Sequence, residues 1–242
     1  MKKLAIIALS ALAVSCNKYK VSGEVKGLPD GTMVYLEKQN ESAATGIAGV
    51  DTTTVKDGKF EFKGKAEEPL MHRVRFDQLG GFMFILEKGD INVKAQKDSL
   101  MMGLANISGS RTNDELAAYK KSLIPIQNKA MEFGKQNDQP YKDAAAKKDS
   151  VTMKKIADSY KKIDDEFQSH RASYVEKNKD SFLSLLIIQE MFGSSDADIT
   201  KIKKYFDNLS SDLKETSTGK KIKTYIEKIE KANPAAPKKK LS

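Results

Sequence analysis

The chain holds one cysteine in 242 residues, two histidines and no tryptophan. A single cysteine excludes an internal disulfide, so the fold must stand on burial and hydrogen bonding alone. It also excludes a cysteine-rich metal site and a two-thiol redox cycle, which needs an attacking and a resolving thiol. The histidines, His72 and His170, lie about a hundred residues apart and in no ligand spacing. His72 is in phase with Val74 and Phe76, and His170 falls on a helical apolar stripe, so both read as packing residues rather than ligands or general bases. Arginine is scarce as well: Arg73, Arg75, Arg111 and Arg171 are four of 42 basic residues. The formal net charge of +9 therefore rests on lysine spread along the chain. Arginine supplies the rigid fork that reads phosphates and base edges; scattered lysine reads as a solvated surface, and nucleic acid is not an expected partner. Beyond residue 16 the longest apolar run is GFMFIL, residues 81–86, far short of the roughly 20 residues of a membrane-spanning helix.

What is present begins at the amino end, MKKLAIIALSALAVSC. Lys2 and Lys3 form a positive start, Leu4 to Val14 is apolar apart from Ser10, and the small Ser15 precedes Cys16. That is the layout of a secretory signal peptide. The run Ala13-Val14-Ser15-Cys16 resembles the bacterial lipobox, with Ala13 in place of the preferred leucine. The resemblance implies a diacylglyceryl group on the Cys16 sulfur, cleavage before Cys16 and acylation of the new amine. More than one acyl chain is what stable membrane anchoring needs. The alternative is an ordinary signal peptide followed by an incidental cysteine. The residues after Cys16, NKYK, lack the acidic run that resembles a surface-export signal, so the expected location is the periplasmic face of the outer membrane.

Residues 16–110 read as strands. YKVSGEV and TMVYLEK alternate and are separated by the LPDG turn. DTTTVKDGKFEFKG reads as two strands about a tight primed turn at Asp57-Gly58. LMHRVRFD alternates again. GFMFIL is continuously apolar and reads as a central strand, followed by the partner face Ile91, Val93 and Ala95. The spacing predicts about seven strands in an antiparallel β-sandwich or partly open barrel. From residue 111 to 233 the period becomes helical. Thr112 and Glu115 have capping-box spacing, and Leu116, Tyr119, Leu123, Ile126, Ala130 and Phe133 form a stripe that Pro125 is expected to kink or interrupt. A polar gap and a second stripe, Ile156, Tyr160, Ile163, Phe167, His170 and Tyr174, predict a long helical hairpin. SFLSLLIIQEMF reads as the buried helix of this half, with two amphipathic helices after it. The expected class is α+β with segregated halves: leader 1–15, β-sandwich 16–110, helical domain 111–233 and a Lys/Pro tail, 234–242, with nothing to bury.

Taken in order, VSGEVKGLPDGTMVYLE, DTTTVKDGKFEFKG, FILEKGDINV, ISGSRTNDELAAY, NKDSFLSLLIIQEMF and TSTGKKIKTYIEKI resemble the domain of unknown function that precedes the thioredoxin-like domain in many Bacteroidetes envelope proteins. The resemblance runs over about residues 19–232. It implies an envelope lipoprotein, and it implies an association with thiol–disulfide chemistry for which this chain holds no cysteine pair.

No motif adds catalysis. Asp164 and Asp165 are adjacent on a helix and do not face each other. GLPDG and KGD match no phosphate or calcium loop, and no metal or cofactor is expected. The candidate binding surfaces are Phe82 and Phe84, if their strand lines an open groove rather than the core, and Tyr119, Tyr160 and Tyr174, if the hairpin seam is also a partner surface. The function expected is a non-catalytic, lipid-anchored binding or scaffolding module with the membrane, through Cys16, and an envelope protein or glycan as partners. The alternative is an accessory that docks a separate thioredoxin-like protein. The anchor reading is tested directly: Cys16→Ala is expected to lose metabolic palmitate label and to leave the membrane fraction, and a variant that is still acylated contradicts it.

Overall fold

A computed structural model describes residues 17–39, 46–194 and 197–232. The leader, Cys16 and the tail from residue 233 lie outside the described residues. The chain divides into two compact units between Asn106 and Ile107. The first is built by the alternation noted above. β1 (Lys18–Lys26) buries Tyr19, Val21 and Val25 and exposes the lysines and glutamate between them; β2 (Met33–Gln39), β3 (Ile47–Thr54), β4 (Lys59–Lys65), β5 (Leu70–Phe76), β6 (Gly81–Leu86) and β7 (Gly89–Gln96) follow. A single helical turn, α1 (Lys97–Leu100), and a short strand, β8 (Asn106–Ser108), lead to the unit boundary. The strands form two four-stranded sheets, β4-β1-β7-β8 and β3-β2-β5-β6. They face one another as a sandwich and do not close into a barrel.

The core is a series of aromatic rings that crosses between the sheets. Phe62 meets Phe60 at 5.8 Å between centroids, Phe60 meets Phe76 of the other sheet at 5.4 Å, and Phe76, Phe82 and Phe84 continue it. Edge-on and tilted contacts of this kind suit the quadrupoles of the rings. Space for Phe60 comes from Gly23, its direct cross-strand partner. A Cβ on residue 23 would lie 1.9 Å from the Phe60 ring.

Three details differ from the expectation. β1 and β7 are parallel, with Tyr19 opposite Gly89 and Lys26 opposite Gln96, while the other registered pairs are antiparallel. The turn at Asp57-Gly58 has positive φ at both residues (50° and 69°), as a primed turn requires, but its two strands pair only at Lys56 and Lys59. β3 then joins β2 and β4 joins β1, in opposite sheets. The divergence follows from Val55, which is buried and whose backbone bonds Gly31 and Thr32 of the LPDG turn (2.9 Å each). Finally, β6 is an edge strand and not a central one. Its apolar run means that both faces are covered around Phe84, Ile85 and Leu86. It does not mean that both edges are paired.

The second unit is helical. α2 (Arg111–Ala146) and α3 (Ser150–Lys177) are the expected hairpin, followed by α4 (Phe182–Met191), α5 (Ile199–Asp207), α6 (Ser211–Glu215) and α7 (Ser217–Ala232). α2 runs unbroken through Pro125 and Pro140 and takes in the expected polar gap. Both prolines are exposed, so water can reach the carbonyls that they free one turn back. The helix also starts earlier than the Thr112 cap predicts. Ser110 is the N-cap, with its hydroxyl accepting from the Asn113 side chain at 2.8 Å, and Glu115 instead binds Arg111 (2.9 Å) and accepts from the Ser181 hydroxyl. Asp149 caps α3, Ser181 caps α4 and Asp198 caps α5. α4 buries Phe182, Leu183, Leu185, Ile187, Ile188 and Met191 and is the core of its unit. None of the helices among the described residues is long and apolar enough to cross a membrane.

Gly23→Ala is expected to cost about 1–3 kcal/mol, because the buried Phe60 ring has to move. Gly49→Ala on β3, where nothing lies within 4 Å of the added carbon, is expected to change stability by less than about 0.5 kcal/mol. Equilibrium denaturation of the two variants checks the contrast.

Candidate functional site

The residues singled out from the sequence do not converge. Phe82 and Phe84 are members of the ring series inside the sandwich, with 2% and 0% exposure. In the helical unit Tyr119 meets Tyr174 edge-on at 4.9 Å and His170 at 5.3 Å, while Tyr160 packs on Phe133 at 6.0 Å and stays half exposed. These are contacts of the α2–α3 seam. Tyr119 is buried, and burial pushes its hydroxyl up to about 12, with Arg171 opposing and Glu190 and Tyr174 adding to the rise.

The same seam holds a serine–histidine pair. Ser122 Oγ lies 3.0 Å from His170 Nε2 and donates to the Tyr119 carbonyl at 2.7 Å. A base that activates a serine hydroxyl needs the hydroxyl proton directed at it and a third group orienting its other nitrogen. Here the hydroxyl is turned to a carbonyl, and His170 Nδ1 is buried with no hydrogen-bond partner among the described residues. The pair holds the two helices in register and is not assembled as a nucleophile and base. Beside it, Arg171 is buried, stacks on Phe167 at 5.3 Å and reaches Glu190 at 3.2 Å.

Other charged groups are engaged locally. Asp165 pairs with Lys161 (2.8 Å), and Asp164 accepts from Gln168. An open groove of about 480 Å³ between α3, α4 and α5 is lined by Lys161, Asp165 and Gln168, with Asp198 and Lys201 on its rim, and the Asp198–Lys201 pair is also matched, at 3.6 Å. Among the described residues, no three His, Cys, Asp or Glu side chains are placed to hold a metal ion.

The most unusual surface lies where sequence reading placed nothing. After β7, α1 turns the chain once and buries Leu100. The next side chains, Met101, Met102 and Leu104, are 73%, 67% and 56% exposed. The loop that carries them is held in one shape. The Met102 and Leu104 amides donate to the Ser99 carbonyl (3.2 and 3.1 Å), the Gly103 amide donates to the Leu100 carbonyl (3.0 Å), and the Ser99 hydroxyl reaches the Gln96 and Leu104 carbonyls (2.8 and 3.0 Å). Gly103 has φ of +72°, and Gly80 lets the β5–β6 turn close on the loop, since a Cβ there would lie 2.5 Å from the Leu100 carbonyl oxygen. Three large apolar groups are thus presented on a fixed tip, each forgoing about 1.5–3 kcal/mol of burial. Methionine is the adaptable side chain of protein-binding surfaces. The legible signal was SLMMGL itself: one apolar residue to anchor the turn, then Met-Met, then a glycine that reverses the chain.

Residues 19–116 match the model of a family described as a domain of unknown function, DUF4369. The DUF4369 match spans the two sheets, the apolar tip and the first residues of α2. No curated protein and no solved structure matches the chain.

Within the DUF4369 segment one group makes stability depend on pH. His72 is 6% exposed on the inner face of β5, its Nδ1 bonds the Leu70 carbonyl at 3.0 Å, and its ring faces Phe84 at 6.3 Å. Burial holds its imidazole below the ordinary value of 6.5; the Leu70 carbonyl opposes this shift and Lys38 adds to it. The unfolded chain therefore takes up this proton more readily than the folded one. Stability from this group is complete above about pH 6.5 and is lost as pH falls through that value toward the lowered folded one. Denaturation midpoints are expected to drop across this window, and His72→Gln is expected to flatten the drop relative to the parent.

Proposed function

We propose that this chain is a non-catalytic, lipid-anchored envelope module that docks another protein through Met101, Met102 and Leu104. The observation that carries the reading is the fixed apolar tip. A run of exposed apolar residues on a rigid loop has a cost in solvent that a partner surface removes. Strand direction supports the assignment. The anchor expected at Cys16 precedes β1, and the tip follows the end of β7, which runs parallel to β1 over its length. Nine extended residues put about 26 Å between the two ends of the strand. The tip therefore faces away from the membrane that holds the chain, and its partner is sought in the envelope space. Sulfur-containing and aliphatic side chains suit an apolar protein surface better than a glycan. A separate thioredoxin-like protein is one such partner; the family resemblance alone points to it, and the redox chemistry would be that protein's own.

Photo-crosslinking from position 102 in intact envelopes is expected to give a dominant protein adduct, and a probe at Val151, 79% exposed on α3, is expected not to. Met101→Glu combined with Leu104→Glu is expected to weaken capture by more than about tenfold, as loss of a hot-spot contact does, with an unchanged unfolding midpoint. Adducts to lipid from position 102, or capture that survives the double substitution, contradict the assignment.

A further inference from the structure

The opposite end of the first unit poses an electrostatic problem. β1 and β4 pair with Lys18 directly opposite Lys65 and Lys20 directly opposite Lys63. Like charges facing across a ladder repel, and native sheets avoid them. One pair is compensated: Glu61 lies 2.9 Å from Lys20 and is also ion-paired with Lys63. The other is not. Lys18 and Lys65 are exposed, and neither has an ion-pair partner among the described residues. Together they flank an open groove of about 590 Å³ that Lys20, Lys63, Tyr19, Gly64 and Gly89 also line, with Asp90 on its rim. Tyr19 closes the floor, its hydroxyl 2.7 Å from where a Cβ on Gly64 would be.

Protection of a sheet edge accounts for half of this arrangement. β4 is an edge strand, and lysines on an edge discourage pairing with other chains. β1 is an interior strand, between β4 and β7, so protection does not explain Lys18 or Lys20. Position supplies another reason. The Asn17 carbonyl accepts from the Ala66 amide at 2.7 Å, and its side chain donates to Glu67 at 3.0 Å. The residue before β1 is thereby fixed beside Lys65. Cys16 is the next residue in the sequence.

We propose that Lys18 and Lys65, backed by Lys20 and Lys63, form a seat for the phosphate of an anionic lipid in the membrane that holds the chain through Cys16. The proposal rests on the anchor reading, because only a membrane-held Cys16 brings this end to the headgroups. Lys18 and Lys65 are direct cross-strand partners and both line the groove, so one phosphate bound there removes the repulsion that the register creates. A lysine near an anionic surface adds to membrane affinity, and acyl chains with a basic patch are a recurrent anchoring pair. The contact also orients the unit, with β1 running away from the bilayer.

The full chain carrying Cys16→Ala, which removes the acyl chains, is mixed with phosphatidylcholine vesicles in which one lipid in three is or is not phosphatidylglycerol, and sedimented. Binding is expected at low ionic strength and on the anionic vesicles only, and is expected to be lost at physiological salt, where the unacylated chain leaves membranes. Lys18→Gln with Lys65→Gln is expected to lower it by about tenfold or more, whereas the Lys→Arg pair retains it. Lys59→Gln with Lys94→Gln removes the same charge from the far end of the same sheet face and is expected to change binding less than about twofold. Equal binding to both vesicle types, or an equal loss in the far-end variant, overturns the proposal. So does tighter binding of an acidic polysaccharide than of the vesicles, which makes the groove a glycan site. The anchor is read separately from palmitate labelling of the unsubstituted chain. Label without lysine-dependent vesicle binding leaves the anchor standing and removes the headgroup seat; vesicle binding without label does the reverse.

Discussion

The Phe60 ring lies over the backbone of Gly23, and much of the first unit depends on that contact. It joins β4 to β1 from the inside, and the same ring meets Phe76 of the facing sheet. One residue without a side chain thus permits both the pairing of two strands and the packing of two sheets. Glycine in a strand interior normally weakens it; here the aromatic partner across the ladder covers the exposed backbone. Tyr19 over Gly64 repeats the device four residues along the ladder with the roles of the strands exchanged. The consequence is a well-fixed β1 in the interior of its sheet. Because β7 lies parallel to it, β1 also sets which features fall at which end of the unit.

The alternation of Tyr19, Val21 and Val25, of Phe60 and Phe62, and of His72, Val74 and Phe76 made the strands legible, since period-two burial is a local property of sequence. Sheet membership was less so. Asp57-Gly58 announces a primed turn correctly, yet it serves as a corner between sheets because Val55 is tied to the preceding turn. GFMFIL announces burial correctly, yet lies at an edge. In both cases composition reports the environment of side chains, while pairing is decided by backbone partners distant in sequence. The helices show the same division. Apolar stripes predicted the α2–α3 hairpin and the buried α4, but Pro125 was misjudged because its cost depends on whether water can reach the freed carbonyl. The α2 cap moved from Thr112 to Ser110 because Glu115 is used by Arg111 and Ser181.

Candidate sites were least legible for a related reason. Apolar residues are normally inside, so Phe82, Phe84 and Tyr119 went to cores and seams. Met101, Met102 and Leu104 have the same chemistry and the opposite placement, and only tertiary structure separates the two cases. The backbone constraints around the tip distinguish it from an incidentally exposed loop. Gly80 admits the Leu100 carbonyl, Ser99 closes the turn and Leu100 fills the core beneath it. A fold with no use for the apolar tip could replace its side chains with polar ones without disturbing any of these contacts.

The proposed lysine seat and the proposed use of the apolar tip both draw on one geometric fact. A strand has two ends, and β1 carries a pinned Asn17 at one while its parallel neighbour continues into the tip at the other. An anionic surface at the first end and an apolar partner at the second place opposite chemical demands about one strand length apart. On the proposed reading, charge density is asked of the end that meets headgroups, where dehydration is slight and ammonium groups stay solvated. Apolar area is asked of the end that meets a protein, where water is expelled. The rigid sandwich between them keeps the two from collapsing onto the same surface, which gives the Phe60–Gly23 contact a bearing on function as well as on stability.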